Sequence, residues 1–273
     1  MPQHSRDWIS QNIWGQDYLQ HTITVALYLI VCLCWGTTWL AIEIAVESSP
    51  PLTAAGLRFI IAAPMLFIFA GARQASIFYP AGQKQFFYFI TLFYFALPYW
   101  LLNFGEQYVS SGLTALLFST MPIFILFFSW WLLKERIYLS QILGIITGFS
   151  GLTLILINQD MYMSYSGLIG VAAILVAAIM HGFCYVLTKK TAENINTITF
   201  NALPIGVSGL LLLSLGIIIE KPQFASFSSE SIFALFYLGI VASVGGFIVY
   251  FYLLKRMSPI ILSFVFIIWG CTR

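Results

Sequence analysis

Apolar residues run along this chain in long unbroken blocks, and short polar stretches between them hold most of the charge. Inside the blocks the few polar residues are scattered. That fits neither the alternation of a barrel strand nor the single apolar stripe of a soluble helix. About 20 helical residues cross the hydrocarbon of a bilayer. The blocks at 23–46, 52–72, 86–104, 112–133, 139–157, 168–187, 198–219 and 232–254 therefore predict eight transmembrane helices. A ninth run, 259–269, is too short to cross as written. Lipid cannot hydrogen-bond a backbone, so continuous apolar runs mean helices that satisfy their own amides. The predicted fold class is an all-α polytopic membrane protein. Residues 1–21 are too polar and mixed for a signal-peptide start and read as a short exposed tail.

Composition strengthens this and removes other classes. Hydrophobic residues make up 60% of the chain and charged residues 8%, against about 25% charged in soluble domains. With the amino terminus in the cytoplasm, Arg73, Lys84, Lys134, Arg136, Lys189, Lys190, Lys255 and Arg256 all fall in inner loops. The outer loops then hold Lys221 with Glu47, Glu106, Asp160, Glu220 and Glu230. Lysine and arginine in short loops set topology, so this orientation is expected, in a bacterial inner membrane. Cys32, Cys34, Cys184 and Cys271 show no zinc-like spacing and read as packing residues. No phosphate-cradling loop, metal cluster or nucleophile–base set is present in the sequence. The expectation is no cofactor, no nucleic-acid partner and no enzymatic activity, with a small solute and lipid as partners.

The chain also matches itself at an offset of about 146 residues. "CWGTTWLAIEIAVE" lies over "MHGFCYVLTKKTAE", aligning Trp35 with His181, Gly36 with Gly182, Trp39 with Tyr185 and Glu43 with Lys189. "YVSSGLTALLFSTMPIF" lies over "LKRMSPIILSFVFIIWG". Five spans separate the copies, so they run in opposite senses, an arrangement recurrent in secondary transporters. The expected organisation is a tail at 1–21, a first repeat at 22–159 and a second at 166–273. On this reading the second repeat stops within its fourth helix, and a truncation is expected.

These motifs resemble the EamA family of the drug/metabolite transporter superfamily. The resemblance rests on "CWGTTWLAIEIAVE", on "PPLTAAGLRFIIAAPMLFIF" and on "SSGLTALLFSTMPIFILFFSWWLLKERIYLSQILGIITGFSGL". It implies ten helices in two inverted five-helix repeats, both termini cytoplasmic, and movement of small metabolites, with export favoured. The chain departs from that pattern by ending in the ninth helix.

One charge stands out inside this hydrocarbon. Arg58 lies about seven residues into the second span, where an unpaired charge costs about 2.5–3.5 kcal/mol. Glu43 sits at a similar depth on the first span, and the "ESSPP" turn suggests a hairpin that brings the two together. Three readings stay open: an ion pair, an arginine snorkelling outward, or a guanidinium lining a cavity and holding a carboxylate or phosphate. Trp35, Trp39 and Glu43 follow at four-residue steps, one helical face. His181, Tyr185 and Lys189 make the matching stripe, and Tyr99, Asn103 and Gln107 a third. Each also has a packing reading. The candidate solute-binding set is Trp35, Trp39, Glu43, Arg58, Tyr99, Asn103, His181 and Tyr185. Pro64, Pro98, Pro122 and Pro204 are expected kinks, and "GIITG" at 144–148 marks close packing within the monomer or in a homodimer. The function these signs favour is a secondary transporter of a small polar or amphipathic metabolite, amino acids included, working by alternating access. The competing reading is a transport-inactive remnant or a membrane-embedded partner subunit.

Overall fold

The computed structural model describes residues 22–156, 165–257, 259–263 and 265. The features expected at residues 1–21, at Cys271 and along most of the ninth run thus lie outside the described residues. Among the described residues nine helices follow one another: α1 (Thr22–Ser48), α2 (Pro51–Ala72), α3 (Lys84–Gly105), α4 (Ser111–Leu133), α5 (Leu139–Leu156), α6 (Tyr165–Thr191), α7 (Thr197–Ile219), α8 (Ser229–Leu254) and α9 (Pro259–Ser263). Seven of them, all but α5 and α9, are long and apolar enough to cross a membrane by length and composition. No strand occurs among the described residues. The chain is an all-α polytopic membrane protein.

The sequence explains where helices start. Pro51 opens α2, where its fixed φ suits the first turn and its missing N–H is no loss. Ser110, Asn196 and Ser228 cap α4, α7 and α8, each accepting a backbone N–H from the first turn. Helices α2 and α7 start 146 residues apart (197 − 51). Two π-helical stretches, Thr91–Ala96 in α3 and Leu238–Gly245 in α8, begin 147 apart (238 − 91). Of the four internal prolines, Pro64 and Pro204 sit inside unbroken helices. Pro98 is the second residue past the first π stretch, and Pro122 is the second residue of α4 after a turn at Ser119 and Thr120.

Helices α2 and α7 form the broadest contact. Its closeness depends on small residues: a Cβ on Gly56 would lie 2.5 Å from the Leu213 amide nitrogen. Helix α1 instead packs along the start of α8 and touches α2 only sparingly. The α1–α2 turn is therefore not a side-by-side hairpin, because α7 and α8 take the faces the two helices would have shared.

Alternation of the spans gives the bundle two ends. At the acidic end Glu220, closing α7, receives the Leu52 N–H at 2.8 Å, the Thr53 N–H at 2.9 Å and the Thr53 hydroxyl at 2.8 Å. A carboxylate there meets the positive end of the α2 dipole and its unpaired amides. Nearby, Ser48 donates to Ser231 at 2.8 Å and Ser231 to the Ile44 carbonyl at 2.7 Å, tying α1 to α8. At the lysine end the signs reverse. Lys189 donates to the Leu254 carbonyl at 2.9 Å, at the close of α8. Lys255 donates to the Ile195 carbonyl just past the end of α6.

Candidate functional site

A cavity sits at mid-depth between α1, α2, α3, α4 and α6. Trp35, Trp39, Arg58, Tyr99, His181 and Tyr185 line it, with Thr38, Ile42, Leu102 and Phe118 between them. Its volume is about 30 Å³, roughly one water's share of liquid volume. The site is contracted in this conformation. A second opening, about 280 Å³, lies at the lysine end between α6, α7 and α8. Between the two is a layer of rings: Phe200 and Phe251 with centroids 4.5 Å apart, Tyr94 5.7 Å from Phe251, and Tyr185 4.8 Å from Tyr250.

Arg58 is the largest fully buried side chain, 1% exposed, so it does not snorkel. Its Nε donates to Ser243 Oγ at 2.8 Å, and its Cζ lies 4.7 Å from the centre of the Tyr99 ring. Nη1 is buried without a partner. One edge of the guanidinium is thus anchored and one face stacked, and a donor is left over. Glu43 makes no ion pair with it: Glu43 is half-buried, with Oε2 buried and unpartnered. The ion-pair reading of Glu43 and Arg58 falls for the same reason as the side-by-side hairpin.

Helix α8 builds the back of this site, which sequence reasoning missed. In an α-helix the Ala242 carbonyl would be consumed internally, but the π stretch loosens the ladder, and this oxygen accepts the Trp35 indole N–H at 3.1 Å. The next residue, Ser243, holds Arg58. Gly246 makes room for the indole, since a Cβ there would fall 2.3 Å from Trp35 Nε1. Trp35 also lies 4.6 Å from Tyr250, and Trp39 packs 4.9 Å from Phe118.

His181 is 1% exposed, and neither ring nitrogen has a hydrogen-bond partner. It is boxed by Tyr94 at 5.1 Å, Tyr99 at 5.3 Å, Phe118 at 5.4 Å and Tyr185 at 5.9 Å. Asn103 is buried but turns away, donating from Nδ2 to the Tyr99 carbonyl at 2.7 Å. Six of the eight candidates therefore share the cavity wall; Glu43 and Asn103 stand off it. Lys189, placed on the His181 stripe by the spacing, belongs to the lysine-end tie.

Glu106 lies in the turn just past α3, as expected of a loop residue, but is only 5% exposed, with both carboxylate oxygens unpartnered. Gln107, which the four-residue spacing selects, is exposed. The helix ends at Gly105, so the eight-residue step from Tyr99 to Gln107 no longer returns to one face, while seven residues reach Glu106. Glu43 and Arg58 are the charged groups acting on it. Burial pushes its carboxyl well above the usual carboxylate range, Glu43 pushes the same way, and Arg58 pulls against both. Among the described residues no group of His, Cys, Asp and Glu could hold a metal ion, and Cys32, Cys34 and Cys184 are free.

The model of the EamA-like transporter family matches residues 22–157 and again 168–269. PagO of Salmonella typhimurium is 41% identical over 243 residues, covering 89% of this chain and 80% of that protein. The uncharacterized transporter YoaV of Bacillus subtilis is 31% identical over 233 residues, covering 84% and 78%. A solved crystal structure superposes with a TM-score of 0.74 at 18% identity, covering 91% of this chain and 85% of that one. The last likeness concerns the fold alone.

Proposed function

The chain belongs to the EamA-like transporter family, and from that premise we propose that it is a secondary transporter whose central cavity takes a small carboxylate-bearing, amphipathic metabolite of the amino-acid type. The observation that carries this is Arg58: fully buried, fixed to Ser243, stacked on Tyr99, and with Nη1 unused inside an aromatic wall. A carboxylate is the natural partner for the spare donor. Trp35, Trp39, Tyr99 and Tyr185 supply ring faces for an apolar body or an ammonium group.

Alternating access follows from where the cavity lies. Residues of α1–α4 and of α6 face each other across it, and each half can rock about it to expose one end at a time. The two family-model segments correspond to the proposed repeats. The amino terminus is placed in the cytoplasm of a bacterial inner membrane on the distribution of lysine and arginine, and export is the direction that the family resemblance favours.

Counterflow in liposomes tests the reading. L-Phenylalanine, L-threonine and L-lysine are each radiolabelled and offered against an internal unlabelled pool, with glucose as the uncharged control. At least one zwitterion is expected to exchange saturably. Arg58→Ala is expected to weaken its apparent affinity about 10- to 100-fold, the loss of one charge-assisted hydrogen bond. Unchanged kinetics in a stably inserted Arg58→Ala protein would remove Arg58 from the pathway.

A further inference from the structure

We propose that Glu106 carries the proton that couples solute movement to proton flux in this transporter. The inference rests on the reading of the Arg58 cavity above and adds the coupling ion. The geometry is a buried cluster of three groups from three helices: Glu43 on α1, Arg58 on α2 and Glu106 just past α3. Both oxygens of Glu106, Oε2 of Glu43 and Nη1 of Arg58 are buried with no hydrogen-bond partner.

With both acids ionised, the cluster has a net charge of −1 in a site that excludes water. A buried carboxylate survives when it collects donors, and Glu106 collects none. One proton on Glu106 makes the cluster neutral, with Glu43 balancing Arg58. The remaining titratable groups around the cluster do not alter this count. Tyr99 on α3, Tyr94 on α3 and Tyr237 on α8 lie near Arg58, and His181 on α6 lies beyond it. From α6 the contacts on the neighbouring Gly105 are Gly170 and Ile174. On α4 the buried polar residues Ser111 and Thr114 carry no charge. None adds a second positive charge.

Coupling follows from occupancy of Arg58. A solute carboxylate on Nη1 claims the single positive charge, so an ionised Glu106 beside it is disfavoured further. Solute therefore binds to the protonated form and travels with the proton, so that export runs on an outward solute gradient. By linkage solute raises proton affinity by the same factor that the proton raises solute affinity. The step is a proton transfer alone: carboxylate plus proton gives carboxylic acid on one side of the membrane, and the reverse on the other.

Two measurements on the full chain in liposomes decide it. Infrared difference spectra between acidic and alkaline buffer need no solute. The wild type is expected to show a carboxylic-acid C=O band titrating above the ordinary carboxylate range, and Glu106→Gln to lack it. A wild type without that band, or a variant that keeps it, overturns the proposal. The second measurement is L-phenylalanine entry with a pH dye trapped inside. Wild type should acidify the lumen with about one proton per solute, and its apparent affinity should fall up to about tenfold per pH unit above the titration. Glu106→Gln should exchange L-phenylalanine without moving protons and without pH dependence. Unchanged proton movement in that variant overturns the proposal. If wild type exchanges none of L-phenylalanine, L-threonine and L-lysine, the amino-acid reading fails and the infrared result alone decides the role of Glu106; if only another of the three exchanges, it replaces L-phenylalanine in this assay. Should Glu106→Gln fail to insert, Glu106→Asp must shift the titration; an unshifted band counts against Glu106.

Discussion

The two ends of the bundle are held by side chains of opposite charge. At the acidic end a carboxylate, Glu220, holds the start of a helix, and the Ser48–Ser231 pair adds a second tie. Both connect α1 or α2 to α7 or α8, so they cross from the first half of the sequence to the second. At the lysine end Lys189 holds the end of α8 and Lys255 the α6–α7 turn, both within the second half. Across the halves there, Tyr79 donates to the Phe200 carbonyl at 3.1 Å and Thr199 to the Ser76 carbonyl. That end also has the 280 Å³ opening. Ties that cross between halves must break for the halves to part, whereas ties inside one half move with it. In this conformation ties between the halves hold both ends.

The comparison can be broken at its strongest point first. Ser48→Cys with Ser231→Cys places two sulfurs where hydroxyls now meet, and oxidation should stop exchange almost completely, with reductant restoring it. Full exchange under verified cross-linking would mean that the acidic end never opens. Next in size is Glu220→Ala, which removes three hydrogen bonds to the start of α2. Part-exposed charge-assisted bonds of this kind are worth about 1 kcal/mol or more each, so a Ser48→Cys reporter at that end should be labelled about tenfold faster in the Glu220→Ala background. Lys189→Met should behave differently, lowering the melting temperature by a few degrees, as a loss of about 1 kcal/mol does, while leaving exchange kinetics alone.

The ends should also differ in the sign of their pH response. Glu106 has its carboxyl pushed up by burial, so its contribution is present below the ordinary glutamate range and is lost as pH rises through the folded value, with a slope of up to about 1.4 kcal/mol per pH unit. Glu106→Gln should flatten that decline in a melting-temperature profile. Lys255 has its ammonium pushed down by burial, with Glu193 opposing. Between its folded value and the ordinary lysine range the unfolded chain binds more protons, so stability rises with pH there. Because Lys255 is largely solvated, this is the smallest effect, and Lys255→Met should remove it.

The spans were legible because lipid demands long apolar runs whatever their neighbours, and a lone arginine in one of them is visible for the same reason. The Trp35, Trp39 and His181, Tyr185 stripes were legible because α-helical spacing holds along those stretches. Glu106 was hidden by the place where α3 stops, since a helix ending at Gly105 changes which of two adjacent residues turns inward. Ser243 and the Ala242 carbonyl were hidden more deeply. Their roles depend on a π stretch in a run of small apolar residues, and no composition rule marks one. The neighbours of α1 and α2 are not legible in the sequence because adjacency along the chain is not contact, and the packing of α7 and α8 decides otherwise.

Two adjacent glycines in α8 face very different futures under mutation. A Cβ on Gly245 would meet nothing within 4 Å, while one on Gly246 would strike the Trp35 indole. In a randomised library selected for uptake or resistance, codon 245 should drift freely among small residues, and codon 246 should come back as glycine.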